Sequence, residues 1–131
     1  MIFVDTSFWI AYYNSRDPSH QSALDSLRAN AGTALMTTNH VRGETWTFLR
    51  RRTDHALARQ FLEKTDRSAQ VRIVFVSQQL ETDSLTWLRR HDERAYSYVD
   101  ATSFAVMRAM HIREVLTYDA DFAAAGFRVV R

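Results

Sequence analysis

Met1-Ile-Phe-Val-Asp5-Thr6-Ser7 opens the chain with an apolar run that stops at an acid and two hydroxyls. A short unbroken apolar run reads as a buried strand, because a strand covered on both faces has no polar side to alternate with. Strands of that kind belong to parallel sheets with helices on both faces. The next stretch fits, since Thr6–Tyr13 reads as a helix that starts at Asp5 or Thr6.

The rest of the chain repeats the alternation. Asp17-Pro18 pairs a cap with a first-turn proline and predicts a helix to about Arg28, with Ala23, Leu24 and Leu27 on one face. Ala34–Thr37 is a second strand. Asn39 is the expected cap of a helix over His40–Arg52, and Asp54 of the next, with Leu57, Phe61 and Leu62 inward. Val71–Val76, rich in β-branched residues, is the clearest strand, and Ser77 caps a helix carrying Leu80, Leu85, Trp87 and Leu88. His91–Ser97 is a polar loop and Asp100–Met110 a nearly all-apolar helix. Glu114–Tyr118 is a strand, Asp119–Ala125 a helical turn ended by Gly126, and Phe127–Val130 a last strand. The expected architecture is a single α/β domain over residues 1–131, a three-layer α/β/α sandwich around a mostly parallel sheet.

Composition narrows the function. The chain has 131 residues, 46% hydrophobic and 24% charged, as in an ordinary globular protein. It contains 0 cysteines, which excludes a disulfide scaffold and a thiolate zinc site and fits a reducing compartment; the cytoplasm is the expected location. No apolar stretch approaches the ~20 residues of a membrane span. Met1–Tyr13 carries Asp5 and no basic leader, so it is a poor signal peptide. Net charge is only +2, but every basic residue except Lys64 is arginine, whose fork grips phosphate in two places; arginine codon usage explains the same bias.

The acids carry the chemistry. In a parallel sheet all strand C-termini share one edge, where ligands bind. Asp5 follows strand one, Glu44 lies early in the helix after strand two, Asp100 begins the apolar helix, and Asp119 follows the strand at 114–118. Asp121 is a candidate fifth. Taken singly, Asp5, Asp100 and Asp119 are ordinary caps and Glu44 a solvated residue. Together they map to one edge, where two carboxylates ~4 Å apart repel by ~4 kcal/mol at an effective dielectric near 20. A cation is needed, and all-oxygen ligands predict Mg²⁺ or Mn²⁺, which activates water against a phosphodiester. Thr6, Ser7, Asn39, Ser97 and Thr102 stand beside these acids as candidate orienting groups or plain caps. Arg50, Arg51 and Arg52 with His55, and Arg89, Arg90 and Arg94 with His91, are the densest basic clusters. They are a candidate RNA-binding rim, though cations also suit helix C-termini. The histidines show no metal-ligand spacing.

At these residues the sequence resembles the PIN domain, and within it the VapC toxins of bacterial type II toxin–antitoxin pairs. Met1-Ile-Phe-Val-Asp5-Thr6-Ser7, Thr38-Asn39-His40-Val41-Arg42-Gly43-Glu44, Tyr96-Ser97-Tyr98-Val99-Asp100-Ala101-Thr102-Ser103 and Leu116-Thr117-Tyr118-Asp119-Ala120-Asp121-Phe122 resemble its four motifs in order. The resemblance implies a PIN fold and a Mg²⁺- or Mn²⁺-dependent endoribonuclease. Asp5, Glu44, Asp100 and Asp119 then form the acidic quartet, with Asp121 a further metal contact. It also implies a homodimer held inactive by a VapB antitoxin, and a translational RNA as target. His91-Asp92-Glu93-Arg94-Ala95-Tyr96-Ser97 looks most like toxins that cut the sarcin–ricin loop of large-subunit rRNA; tRNA is the other target of the family. A PIN-like binding module without catalysis is the rival reading. A phosphatase with an Asp nucleophile fits less well, since it wants a second Asp where Ser7 stands.

Overall fold

The computed structural model describes residues 1–130; Arg131 lies outside the described residues. Five strands form one sheet in the order β3-β2-β1-β4-β5, and every pairing is parallel. They are β1 (Ile2–Val4), β2 (Leu35–Thr38), β3 (Val71–Val74), β4 (Glu114–Leu116) and β5 (Arg128–Val129). The helices between them are α1 (Thr6–Tyr13), α2 (His20–Ala29), α3 (Asn39–Arg52), α4 (His55–Arg67), α5 (Gln78–Arg90), α6 (Tyr98–Ala109) and α7 (Asp121–Ala124). The three-layer sandwich expected from the alternation is the architecture found.

Burial depends on position in the sheet. Every residue of the central β1 and its neighbour β2 is buried, whereas β3, at an edge, is half-exposed. On one face Phe3 reaches Phe122 of α7, ring centroids 6.4 Å apart, and Phe122 meets Phe104 of α6 at 4.9 Å. Helices α1 to α4 form a second packed group, where Trp9 meets Phe61 at 6.0 Å.

Several boundaries differ from the sequence expectation, each for a local reason. The second helix begins at His20 rather than at Pro18, because Asp17 spends its carboxylate on a tight turn, accepting from Ser19 N at 2.8 Å. Asn39 does not cap α3; Thr38 does, accepting from Val41 N at 3.0 Å. The Asn39 side chain instead accepts from Val76 N at 2.9 Å, which ends β3 at Val74 and ties the β3–α5 connection to α3. Strand β4 stops at Leu116, since Thr117 and Tyr118 turn their polar groups to β1 and α1. Leu85 is an exposed position of α5; Ser84 is the buried one. Among the described residues no helix is long and apolar enough to cross a membrane.

Sharp stops end both α6 and α7. Helix α6 ends with His111 in the left-handed region (φ 55°), and Ile112 N returns to Met107 O at 2.8 Å. Helix α7 ends in the same way on Gly126 (φ 98°), with Phe127 N bonded to Phe122 O at 3.0 Å. Both are Schellman stops, whose left-handed residue is usually glycine because a Cβ there is strained by about 1–2 kcal/mol. His111→Gly is therefore expected to stabilise the fold by about 1 kcal/mol after the extra freedom it gives the unfolded chain. Urea denaturation of the two proteins reads this; an unchanged or lower midpoint contradicts it.

Candidate metal centre

The centre is built by register. Val4 pairs with Leu116, so the next residues, Asp5 and Thr117, stand side by side at the C-terminal edge. Asp5 N donates to Leu116 O at 3.1 Å, carrying the pairing one step past β1. The Asp5 carboxylate accepts from Ser7 Oγ at 2.9 Å, Thr117 Oγ1 at 3.0 Å and Ser7 N at 3.3 Å. It thus caps α1, and its charge acts on Asp100, although Asp5 stands outside the group formed by Asp100, Asp119 and Asp121. Ser7 Oγ and Thr117 Oγ1 lie 3.1 Å apart, and each hydroxyl also takes a backbone N–H, from Tyr118 and Asp119 respectively. Neither side chain can turn away without breaking several bonds.

Asp100 arrives at the start of α6 through a capping box. Asp100 N donates to Ser97 Oγ at 2.9 Å, and Ser97 N donates to the Asp100 carboxylate at 3.0 Å. Asp119 accepts from Asp121 N at 2.9 Å. Asp100, Asp119 and Asp121 each offer an oxygen, and the three oxygens lie within 4.8 Å of one another. At that separation two ionised groups repel by about 3 kcal/mol at an effective dielectric near 20. The pKa values register burial first, and at Asp100 the crowding as well. Burial pushes Asp5 from 3.8 to about 6, against the lowering effect of its Ser7 and Thr117 bonds. Asp100 rises to about 7, through burial first and then the charges of Asp119 and Asp5. Burial also raises Asp119.

These residues fit a hard divalent cation. Asp100, Asp119 and Asp121 would hold such an ion, which their mutual repulsion favours, with Asp121 also paired to Arg94.

The other residues singled out in the sequence fall in different places. Glu44 is exposed on α3 and stands outside the three-acid group. It lines an adjoining groove of about 560 Å³ with Asn39, Phe48, Arg51, Arg52 and Val99, the residue before Asp100. Arg50 is exposed on the same last turn of α3. Arg89 and Arg90 end α5, exposed. Arg94 is the basic residue that reaches the acids: its Nε donates to Asp121 Oδ1 at 2.7 Å. Thr6 Oγ1 is buried and makes no hydrogen bond, and Thr102 Oγ1 donates to Val99 O within its own helix, so neither orients an acid. Among the described residues no histidine joins the acidic group; His40 pairs with Glu81 and His91 with Glu93. Thr117, which the sequence did not single out, donates to the Asp5 carboxylate. Its signal is the alignment of the runs Phe3-Val4-Asp5 and Val115-Leu116-Thr117, which a parallel pairing sets next to each other.

Asp5 and Asp100 hold protons more tightly when folded than when unfolded. The unfolded chain thus ionises first, and stability falls as pH rises from 3.8 through about 6 and about 7. The melting midpoint of the metal-free protein should decline across that window, and Asp100→Asn should flatten the decline. A variant that declines in parallel with the parent would contradict the placement of that charge.

Comparison with known proteins agrees with this geometry. The PIN domain family matches residues 2–128. The chain is 50% identical over 133 aligned positions to VapC20 of Mycobacterium tuberculosis, described as a 23S rRNA-specific endonuclease, covering 100% of this chain and 98% of that protein. The crystal structure of that toxin, described as cleaving the sarcin–ricin loop, superposes with a TM-score of 0.94 over 100% of this chain and 99% of the other. FitAcB from Neisseria gonorrhoeae shares the fold at 16% identity, with a TM-score of 0.66 over 100% of this chain and 97% of that one. The chain belongs to the PIN domain family.

Proposed function

We propose that this chain is a metal-dependent endoribonuclease toxin of the VapC type, which cuts the sarcin–ricin loop of large-subunit rRNA and so stops translation. The observation that carries the reading is the convergence of Asp100, Asp119 and Asp121 beside Asp5, in a chain 50% identical end to end to a toxin with that described target. Asp100, Asp119 and Asp121 would hold Mg²⁺ or Mn²⁺, with Asp5 close to Asp100 and Glu44 in the adjoining α3 groove. Such an ion would supply a water of lowered pKa and a counter-charge for the phosphate.

The chain's own groups do the rest. Ser7 and Thr117 fix the Asp5 carboxylate by hydrogen bonds, so its charge stays aimed without reorganising. Ser97 does the same for Asp100. Arg51 and Arg52 border the groove beside Glu44 and offer guanidinium forks to phosphates that the acids repel. A VapB-type antitoxin as inhibitor, a homodimeric assembly and a cytoplasmic site of action belong to the same reading, supported by the family resemblance.

The test is direct. Purified chain free of antitoxin is incubated with sarcin–ricin-loop RNA in Mg²⁺ or in EDTA, and the cut ends are mapped. One defined cut is expected with metal and none with EDTA. Asp5→Asn should lose at least about 100-fold in rate, as removal of a group acting directly at the reacting centre does. Thr117→Val, which removes the orienting bond to Asp5 together with the acceptor for Asp119 N, should lose about 10-fold. Cutting in EDTA, or by Asp5→Asn at the parent rate, would overturn the reading.

A further inference from the structure

The sheet edge opposite the acids carries a cleft of about 620 Å³, lined by Arg108, His111, Arg113, Phe127 and Arg128, with Glu114 as its one acid. Glu114 is spent on Arg128, with which it forms an ion pair. Among the described residues no carboxylate lies within ion-pair distance of Arg108 or Arg113. The cleft therefore has a surplus of positive charge at the far end of a molecule whose other end is acidic.

Arg108 is held in place. Its guanidinium lies 5.6 Å from the Trp87 ring centre and 5.3 Å from that of Phe127, and Nη2 donates to Ala125 O at 3.4 Å. The α6 C-terminus accounts for one cation near its carbonyls. It does not account for Arg113, which precedes β4, or for Arg128 on β5. A cation fixed on aromatic rings, beside a half-buried Phe127, is suited to a nucleic-acid strand, which presents a phosphate and a base together.

The cleft is also connected to the acidic centre. Arg94 touches Asp121, its loop neighbours His91 and Tyr96 pack on Trp87 at 4.1 and 4.6 Å, and Trp87 lies beneath Arg108. Asp100 and Arg108 are eight residues apart on α6, about 12 Å along its axis. A stem that flanks a loop held at the acids and follows α6 would meet this basic and aromatic surface.

We propose that the Arg108–Arg113 cleft is a second RNA contact, which holds a backbone phosphate in the stem that flanks a loop held at the acids. The assignment rests on the nuclease reading for its ligand, and binding tests it separately from cutting. Arg113 is exposed, so its replacement leaves the core intact. Full-length protein, Arg113→Ala and Arg113→Glu are titrated in EDTA with two RNAs, the sarcin–ricin loop on a stem of about ten base pairs and the same loop on a minimal stem, between about 50 and 200 mM salt. For the long-stem RNA, Arg113→Ala is expected to reduce the slope of log K against log salt by nearly one. Arg113→Glu should weaken binding further, and the minimal-stem RNA should bind all three proteins alike. Unchanged slopes, or equal losses on both RNAs, overturn the cleft. So does an Arg113→Glu protein that binds both RNAs normally but loses a VapB-type antitoxin. If the long stem binds with the expected Arg113 dependence but metal brings no cutting, the nuclease reading fails and the cleft stands. If cutting occurs and binding ignores Arg113, the reverse holds.

Discussion

Parallel pairing of β1 with β4 is the constraint on which everything at the acidic edge depends. It places Asp5 next to Thr117 and stops both strands at the same level, so that polar groups begin where the buried strands end. A slip of one residue would turn Asp5 to the opposite face of the sheet and bury Val4 among hydroxyls. The packing of Phe3 on Phe122 guards against that slip, because the same shift would carry Phe3 out of its aromatic cluster. Core and centre are therefore specified by one register, and stability of the first enforces geometry of the second.

The molecule gathers repelling charges at one edge, and the surroundings compensate in graded ways. Hydroxyls and backbone amides hold Asp5 and Asp100 without neutralising them, and burial leaves their pKa values raised. Arg94 neutralises Asp121, the outer member of the group, in a half-exposed ion pair. The inner acids thus keep their demand for a cation while the outer one has a partner drawn from a loop. That loop is itself pinned, since His91 stacks on Trp87 and bonds Glu93.

The fold was legible from the sequence because buried parallel strands leave short apolar runs that end abruptly, as Ile2–Val4 does. The acids were legible for the same reason: each stands where a run stops or a helix starts. What escaped was set by contacts between distant segments. Asn39 looks like a cap, and only the arrival of the chain at Val76 gives its side chain another partner. Thr117 looks like one more strand residue until β1 is laid beside it. Glu44 reads as an equal of the other acids, yet a helical position after the cap carries it out to the groove wall. Arg94 reads as one of a basic run, and the fold of the 91–97 loop separates it from Arg89 and Arg90 by sending it to Asp121.

Capping and chemistry turn out to be one arrangement rather than rival explanations of the same residues. Asp5 caps α1 and Asp100 sits in the first turn of α6, so two helix N-termini point at the acidic edge. Each N-terminus carries about half a positive charge, which offsets part of the repulsion among the carboxylates before any cation arrives. The same partial charges favour a phosphate brought to that edge. An edge that must take both a metal ion and a phosphodiester needs carboxylates for the first and positive ends for the second. Starting α1 directly after strand β1, and α6 at the same level, provides both from backbone geometry, and the acids at the start of these two helices are ones their caps use in any case.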